Sequence, residues 1–159
     1  MGKSTNLPFV SSNEISTYSP FTLVHSDVWQ SPTISVTGYK YYVLFTDDYS
    51  RFTWLFFMKR KSEVLDHFKH FLNHIKTQFS TGLRQFQSDG GGEYDNDPFT
   101  ALCSSLGIHH RLSCPHTPEQ NGLAERKQRH IADMARTLLL TSQVPLCHWV
   151  DAVSTAVHI

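Results

Sequence analysis

The sequence predicts a single α/β domain in which helices pack on a mixed sheet of five strands. Three features carry that expectation. Up to Met58 the chain is made of runs rich in aromatic and β-branched residues joined by polar links, as strands are. From Val64 the apolar residues recur at three- and four-residue steps, the mark of an amphipathic helix. Beyond that helix, short strand-like stretches alternate with helical ones, giving the order three strands, helix, strand, helix, strand, helix, helix. In that order the first three strands are antiparallel and a strand-helix-strand unit follows. A length of 159 residues suits one domain, and 40% apolar residues with 13% aromatics is a globular composition that can bury a core without staples.

Each element has its own warrant. Residues 1–20 form a polar lead containing Ser, Thr, Asn and Pro, read as extended or loosely attached. Residues 21–29 alternate as a strand, with Phe21, Leu23, His25, Asp27 and Trp29 on one side. Residues 39–47 and 52–58 are the next two strands, and the polar link "DDYSR" between them marks a hairpin. Behind Ser62, a natural N-cap, Val64, Leu65, Phe68, Phe71, Leu72, Ile75 and Phe79 line one helix face. Residues 83–88 return as a short strand that ends at Asp89. Asp97 and Pro98 stand at the favoured N-cap and first-turn positions of a second helix, with Phe99, Leu102, Cys103 and Leu106 on its face and Gly107 closing it. Residues 108–112 form the last strand. After the Pro-containing "SCPHTPEQNG", Asn121 caps a long helix from about Leu123 towards Thr141, buried through Ile131, Met134, Ala135 and Leu138. Pro145 separates it from a final helical segment.

Composition excludes some functions. Fourteen Lys and Arg balance fourteen Asp and Glu, so a nucleic-acid partner would be held by local patches and not by an overall field. Cys103, Cys114 and Cys147 are odd in number and form no C-x-x-C pair, which suits free thiols in a reducing compartment better than a disulfide framework or a structural zinc site. No apolar run approaches the about 18 residues of a membrane span, and the N-terminus lacks a signal-peptide core. The expectation is a soluble intracellular protein with no membrane partner.

The stretch "FQSDGGGEY", residues 86–94, raises the question of function. Three glycines continue a strand only at an entropic cost. Either they make a flexible loop with Asp89 as a turn residue, or they leave a carboxylate open to a metal or phosphate. Three carboxylates occupy places where functional groups collect: Asp27 in the first strand, Asp89 at the end of the fourth, and Glu125 in the first turn of the long helix. An ionised aspartate on the apolar face of a strand is costly unless a cation or hydrogen-bond donors balance it. Oxygen-only ligands suit Mg²⁺ or Mn²⁺, and two such ions stabilise the attacking and leaving oxygens of an in-line phosphoryl displacement.

Other groups read more plainly. Asp47 and Asp48 belong to hairpin chemistry, and Glu93 supports the glycine loop. His67, His70 and His74 make a solvated helix stripe rather than a zinc site, and Lys59, Arg60 and Lys61 a hydrated cluster. Cys114 and His116 lack the base-and-orienter arrangement of a thiol nucleophile. Arg126, Lys127 and Arg129 follow Glu125 and either hold DNA phosphates or keep the helix surface soluble.

Asp89 and Glu125 are separated by 35 residues, and with that spacing the motifs "VHSDVW", "YVLFTDDYSRFTWL", "KRKSEV", "QSDGGGEY" and "SCPHTPEQNGLAERKQRHI" resemble the integrase catalytic core of copia-type long-terminal-repeat retrotransposons. The resemblance covers residues 7–159. It implies a ribonuclease H-like fold and a metal-binding, catalytic triad of Asp27, Asp89 and Glu125 holding two Mg²⁺ or Mn²⁺ ions. It implies trimming of element DNA ends by water, then attack of the freed 3′ hydroxyl on target DNA, with DNA rather than a small molecule as substrate. Gln120, Asn121, Arg126, Lys127 and Arg129 are the expected DNA contacts. A homo-oligomer is expected, because two DNA ends are handled together, as is action in the nucleus after synthesis in the cytoplasm, although these residues carry no targeting signal.

Family members have a zinc-binding module upstream and a basic region downstream. Residues 1–20 therefore read as the end of the segment after that module, and residues 21–159 as a core truncated at its C-terminus. The chain departs from the family at Gly90, where members usually carry Asn, and at Trp29-Gln30-Ser31-Pro32, where they have W-G-P. Two other readings stand beside this one: a catalytically inactive nucleic-acid-binding remnant, and another ribonuclease H-like nuclease.

Overall fold

The computed structural model describes residues 19–113 and 122–159. The strands are β1 (Leu23–Gln30), β2 (Tyr41–Asp47), β3 (Thr53–Met58), β4 (Gln85–Ser88) and β5 (His109–Leu112). The helices are α1 (Val64–Phe79), α2 (Asp97–Ser105), α3 (Gly122–Ser142) and α4 (Trp149–Ala156), with short 3-10 turns ahead of α1 and α4. This is the order expected from the sequence. The strands form one sheet in the order β3-β2-β1-β4-β5. β1, β2 and β3 pair antiparallel, whereas β4 runs parallel to β1 and to β5. Two crossovers through α1 and α2 produce that change of direction, because parallel neighbours cannot be joined by a tight turn.

Each face of the sheet has its own core. On one side Val24, Val43, Phe45 and Phe86 meet Phe68, Phe71 and Ile75 of α1 and Phe99 of α2. The rings are in close contact, with centroids 4.5 Å apart for Phe68 and Phe86 and 4.9 Å for Phe45 and Phe71. On the other side Tyr42 and Leu44 meet Ile131, Ala135 and Leu139 of α3 and Trp149, Val153 and Ala156 of α4. Met134 and Leu138 pack at the margin of this second core, so the long helix turns a slightly different stripe inward than the sequence suggested.

Local chemistry moves several boundaries. β1 begins at Leu23, two residues later than expected, because Phe21 is in the left-handed region (φ 62°) and its N–H donates to the buried Asp47 carboxylate at 2.8 Å. Phe21 thereby joins the α1-side core instead of sharing a face with Leu23. The same Asp47 carboxylate accepts from the N–H and the hydroxyl of Ser50, which explains the hairpin at "DDYSR". Ser62 does not cap α1. It lies inside the 3-10 turn Lys61–Glu63, where the Glu63 carboxylate reaches back to the Arg60 N–H at 3.0 Å and satisfies an otherwise orphaned donor. At α2 the cap is Asn96, whose side chain accepts from Phe99 N–H, and Asp97 is the first helical residue. Gly107 closes α2 with φ +67°, as expected of a glycine there. Phe79 and Leu106, placed on apolar helix faces by periodicity, are exposed, since each stands where its helix ends. The anticipated cap Asn121 lies outside the described residues.

Candidate active site

The sheet register brings two of the three carboxylates together. Along β1 and β4 the parallel pairs run Leu23 with Gln85, Val24 with Phe86 and His25 with Gln87; β4 ends at Ser88, and Asp89, the next residue, comes within electrostatic reach of Asp27. On β2 the partner of Asp27 is Leu44, a member of the α3-side core, and this fixes the face. Because side chains alternate along a strand, Asp27 belongs to the side on which α3 packs against β1 and β2. Glu125 stands exposed in the first turn of α3. Its charge is felt at Asp27.

Electrostatics records the convergence. The Asp27 carboxyl is half-buried and its pKa is raised from 3.8 to about 7, first by loss of water and then by the negative charge of Asp89, with smaller contributions from Glu125 and Glu93. The Val28 N–H, donating to Asp27 Oδ1 at 2.9 Å, opposes this only in part. Asp89 Oδ1 accepts from Gly91 N–H at 3.1 Å, so Asp89 is a turn residue as well as a member of the site.

The glycines divide the labour. A Cβ on Gly91 would come within 2.8 Å of the Glu93 carboxylate, which is tucked beneath it and paired with Lys61 at 3.5 Å. Glu93 thus supports the loop, as expected, while adding charge near Asp27. Tyr94 anchors the loop from below through a 2.6 Å buried hydrogen bond with Ser26, the neighbour of Asp27; the aromatic-rich sequence hid this role because Tyr94 looks like core. Gly90 and Gly92, by contrast, have open space where a Cβ would stand. Gly90 also lies outside the left-handed region, so the asparagine usual in the family fits without strain. The expected result for Gly90→Asn is a melting temperature raised by about 1–3 °C, since a side chain restricts the unfolded chain; Gly91→Ala, whose Cβ displaces the Glu93 carboxylate end, shows a smaller gain. Differential scanning calorimetry of the two variants checks the contrast.

The remaining expected residues fall in several places. Arg126 and Arg129 are exposed and Lys127 half-exposed on α3 beside Glu125, with the Arg126 guanidinium folded back over Gly122. Gln120, Asn121, Cys114 and His116 lie outside the described residues. The histidine stripe of α1 is less solvated than expected: His67 stacks on Phe56 at 5.2 Å, and burial lowers its pKa. A groove of about 700 Å³ between α1 and α2, lined by Lys69, Leu72, Lys76, Leu102 and Leu106 among others, includes none of the carboxylates.

Among the described residues no three His, Cys, Asp or Glu side chains close on a single point as a finished metal cage. Donor chemistry and charge nevertheless fit a hard divalent cation. The acids offer only oxygen, and a desolvated Asp27 crowded by like charges is the arrangement a cation relieves.

Comparison with known proteins agrees with this geometry. Residues 17–118 match the family described as the integrase core domain. The chain is 43% identical over 159 residues, its whole length, to a retrovirus-related Pol polyprotein from transposon RE2 of Arabidopsis thaliana, and 39% identical over 138 residues, 86% of its length, to that of transposon TNT 1-94 of Nicotiana tabacum. It spans 11% and 10% of those two polyproteins. Among solved structures, a chain of the simian T-cell lymphotropic virus intasome, determined in complex with the PP2A regulatory subunit B56 gamma, superposes with a TM-score of 0.67 at 20% identity, covering 87% of this chain and 47% of that one. The HTLV-2 integrase catalytic core domain, determined with magnesium in a trimeric form, gives a TM-score of 0.58 at 21% identity, covering 87% of this chain and 83% of that one. The ribonuclease H-like sheet, the paired aspartates and the family match converge on one assignment: this chain belongs to the integrase core domain family of retrotransposon and retroviral Pol polyproteins.

Proposed function

We propose that this chain is a metal-dependent polynucleotidyl transferase core that trims the 3′ ends of element DNA and joins them to target DNA. What supports the reading is the parallel pairing of β1 with β4 at the end where Asp27 and Asp89 stand, with α3, the helix that carries Glu125, packed on β1; the crowding of Asp27 by these charges raises its pKa accordingly. Asp27, Asp89 and Glu125 would hold two Mg²⁺ or Mn²⁺ ions. Ions held there would supply activation of the attacking water or 3′ hydroxyl and neutralisation of the charge developing on the phosphodiester.

The chain's own residues do the rest. Val28 N–H fixes one oxygen of Asp27 and Gly91 N–H one oxygen of Asp89, so both carboxylates are oriented by backbone and lose little entropy on binding. Gly90 and Gly92 leave the approach to Asp89 free of side chains, which suits a substrate as bulky as a DNA end. Arg126, Lys127 and Arg129 offer cations to DNA phosphates along the helix that carries Glu125, and Gln120 and Asn121 are further DNA-end contacts expected from the sequence. A second copy of the chain is the natural partner, because two DNA ends must be joined in concert, and the nucleus is the site of action.

The test is phosphoryl transfer by the purified chain on a branched DNA mimicking the joined product, in Mn²⁺ and in Mg²⁺. The expected result is metal-dependent resolution of the branch, reduced at least about 100-fold by Asp89→Asn. Silence of both proteins with DNA binding intact would instead identify a non-catalytic DNA-binding remnant. Cleavage of RNA in a hybrid without DNA joining would identify a different nuclease.

A further inference from the structure

On the α3 side of the sheet lies a fully buried hydroxyl, that of Tyr42, with no hydrogen-bond partner among the described residues. The ring itself is well held, stacked on Trp29 at 5.1 Å and set against Trp149 at 6.3 Å and Phe57 at 6.5 Å. A phenylalanine would keep all three contacts and avoid burying an unsatisfied hydroxyl, so packing does not account for the tyrosine.

Register places that hydroxyl's residue next to the site. Tyr42 pairs with Trp29 and Leu44 pairs with Asp27, which makes Tyr42 the diagonal cross-strand neighbour of Asp27 on the same face. Diagonal neighbours are about 7–8 Å apart at the backbone, within reach of a long aromatic side chain. The two groups sense each other, since the phenol pKa is raised by burial and then by the charge of Asp27. The hydroxyl therefore stays protonated, a donor with no acceptor among the described residues. Asp27 is an acceptor with capacity to spare, because Val28 N–H is the one hydrogen bond to its carboxylate among those described.

We infer that Tyr42 is a positioning residue for Asp27, its hydroxyl donating to the carboxylate, directly or through one water, and fixing its orientation when Asp27 holds a divalent cation. The inference rests on the metal-site reading above. Carboxylates that ligate metals are themselves held by hydrogen bonds, and losing such a bond weakens metal affinity by roughly 10–100-fold.

The experiment measures Mn²⁺ binding to the 159-residue chain, without DNA, by water-proton relaxation, for wild type, Tyr42→Phe and Asp27→Asn. The expected result is binding by wild type, weakening of about 10-fold or more in Tyr42→Phe, and greater loss in Asp27→Asn. The melting temperature of metal-free Tyr42→Phe should be equal to or above that of wild type, a combination that a purely structural role would not produce. A second arm uses no variant chain: in wild type labelled with ¹³Cζ-tyrosine, Mg²⁺ should shift the Tyr42 resonance in step with saturation. Unchanged Mn²⁺ affinity in Tyr42→Phe, or a Tyr42 signal that Mg²⁺ does not move, would overturn the inference alone. A wild-type chain that binds no Mn²⁺ would overturn the metal-site reading and this inference with it.

Discussion

In metal-free buffer the protein melts at a lower temperature at pH 8 than at pH 5, and Asp27→Asn removes most of the difference. The Asp27 carboxyl titrates near 7 in the folded chain and near 3.8 in the unfolded one. The folded state therefore binds the proton more tightly, and stability falls as pH rises between those values. Below 3.8 both states are protonated and the fold carries no penalty from this group; above about 7 both are ionised and the penalty is complete. A shift of that size corresponds to about 4 kcal/mol at most, and residual contact with solvent reduces it to about 2–3 kcal/mol. Asparagine keeps an oxygen for Val28 N–H but has no charge to bury, so the variant's stability is nearly flat across this range. Mg²⁺ restores stability to wild type above pH 7, by about 2.7 kcal/mol at 100 times its dissociation constant, and does nothing for Asp27→Asn. Thermal unfolding at pH 5, 7 and 8, with and without Mg²⁺, checks both halves. Equal wild-type melting temperatures at pH 5 and 8 without metal would show that Asp27 is neither desolvated nor crowded.

Phe86→Ala is the largest expected loss of stability. Phe86 is fully buried and meets Phe45, Phe68, Tyr94, Phe99 and His110, so it ties the sheet to α1, to α2 and to the loop that carries Asp89. Truncation removes apolar contact and leaves a cavity that rigid aromatic neighbours cannot fill. The cost is about 3–5 kcal/mol, a fall of roughly 6–20 °C in melting temperature for a chain of this size. Urea unfolding of wild type and variant measures it; a loss under about 1 kcal/mol would mean that the α1-side core can repack around the void.

The order of elements was legible in the sequence because strand and helix periods differ and each change of period falls near a turn residue or a cap. Boundaries were less legible where a competing hydrogen bond, local or distant in sequence, outbids the preference of residue type. Ser62 and Asp97 are good N-caps by type, yet Glu63 and Asn96 make the hydrogen bonds that set the helix starts. Phe21 continues the alternation of β1 on paper, but Asp47, 26 residues away, captures its N–H and turns it to the other face. Asp27 and Asp89 were singled out by their places in and after strands, while the 35-residue spacing linked Asp89 to Glu125. Their supports were not legible: Tyr94, Ser26 and Tyr42 look like ordinary strand and core residues until the register shows which of them adjoin a carboxylate.

The sequence by itself determined which residue types were available: oxygen donors in three places, a side-chain-free stretch after one of them, and an apolar pattern adequate for two layers of helices around a sheet. Composition and periodicity are local properties, and local properties suffice for that. Only the tertiary structure decided that Asp27 loses water and gains like charges, that the Glu93 carboxylate lies where a Cβ on Gly91 would stand while Gly90 has open space, and that the Tyr42 hydroxyl has no partner among the described residues. Solvation, charge repulsion and close approach depend on which distant segments meet, and here the parallel register of β1 with β4 brings them together.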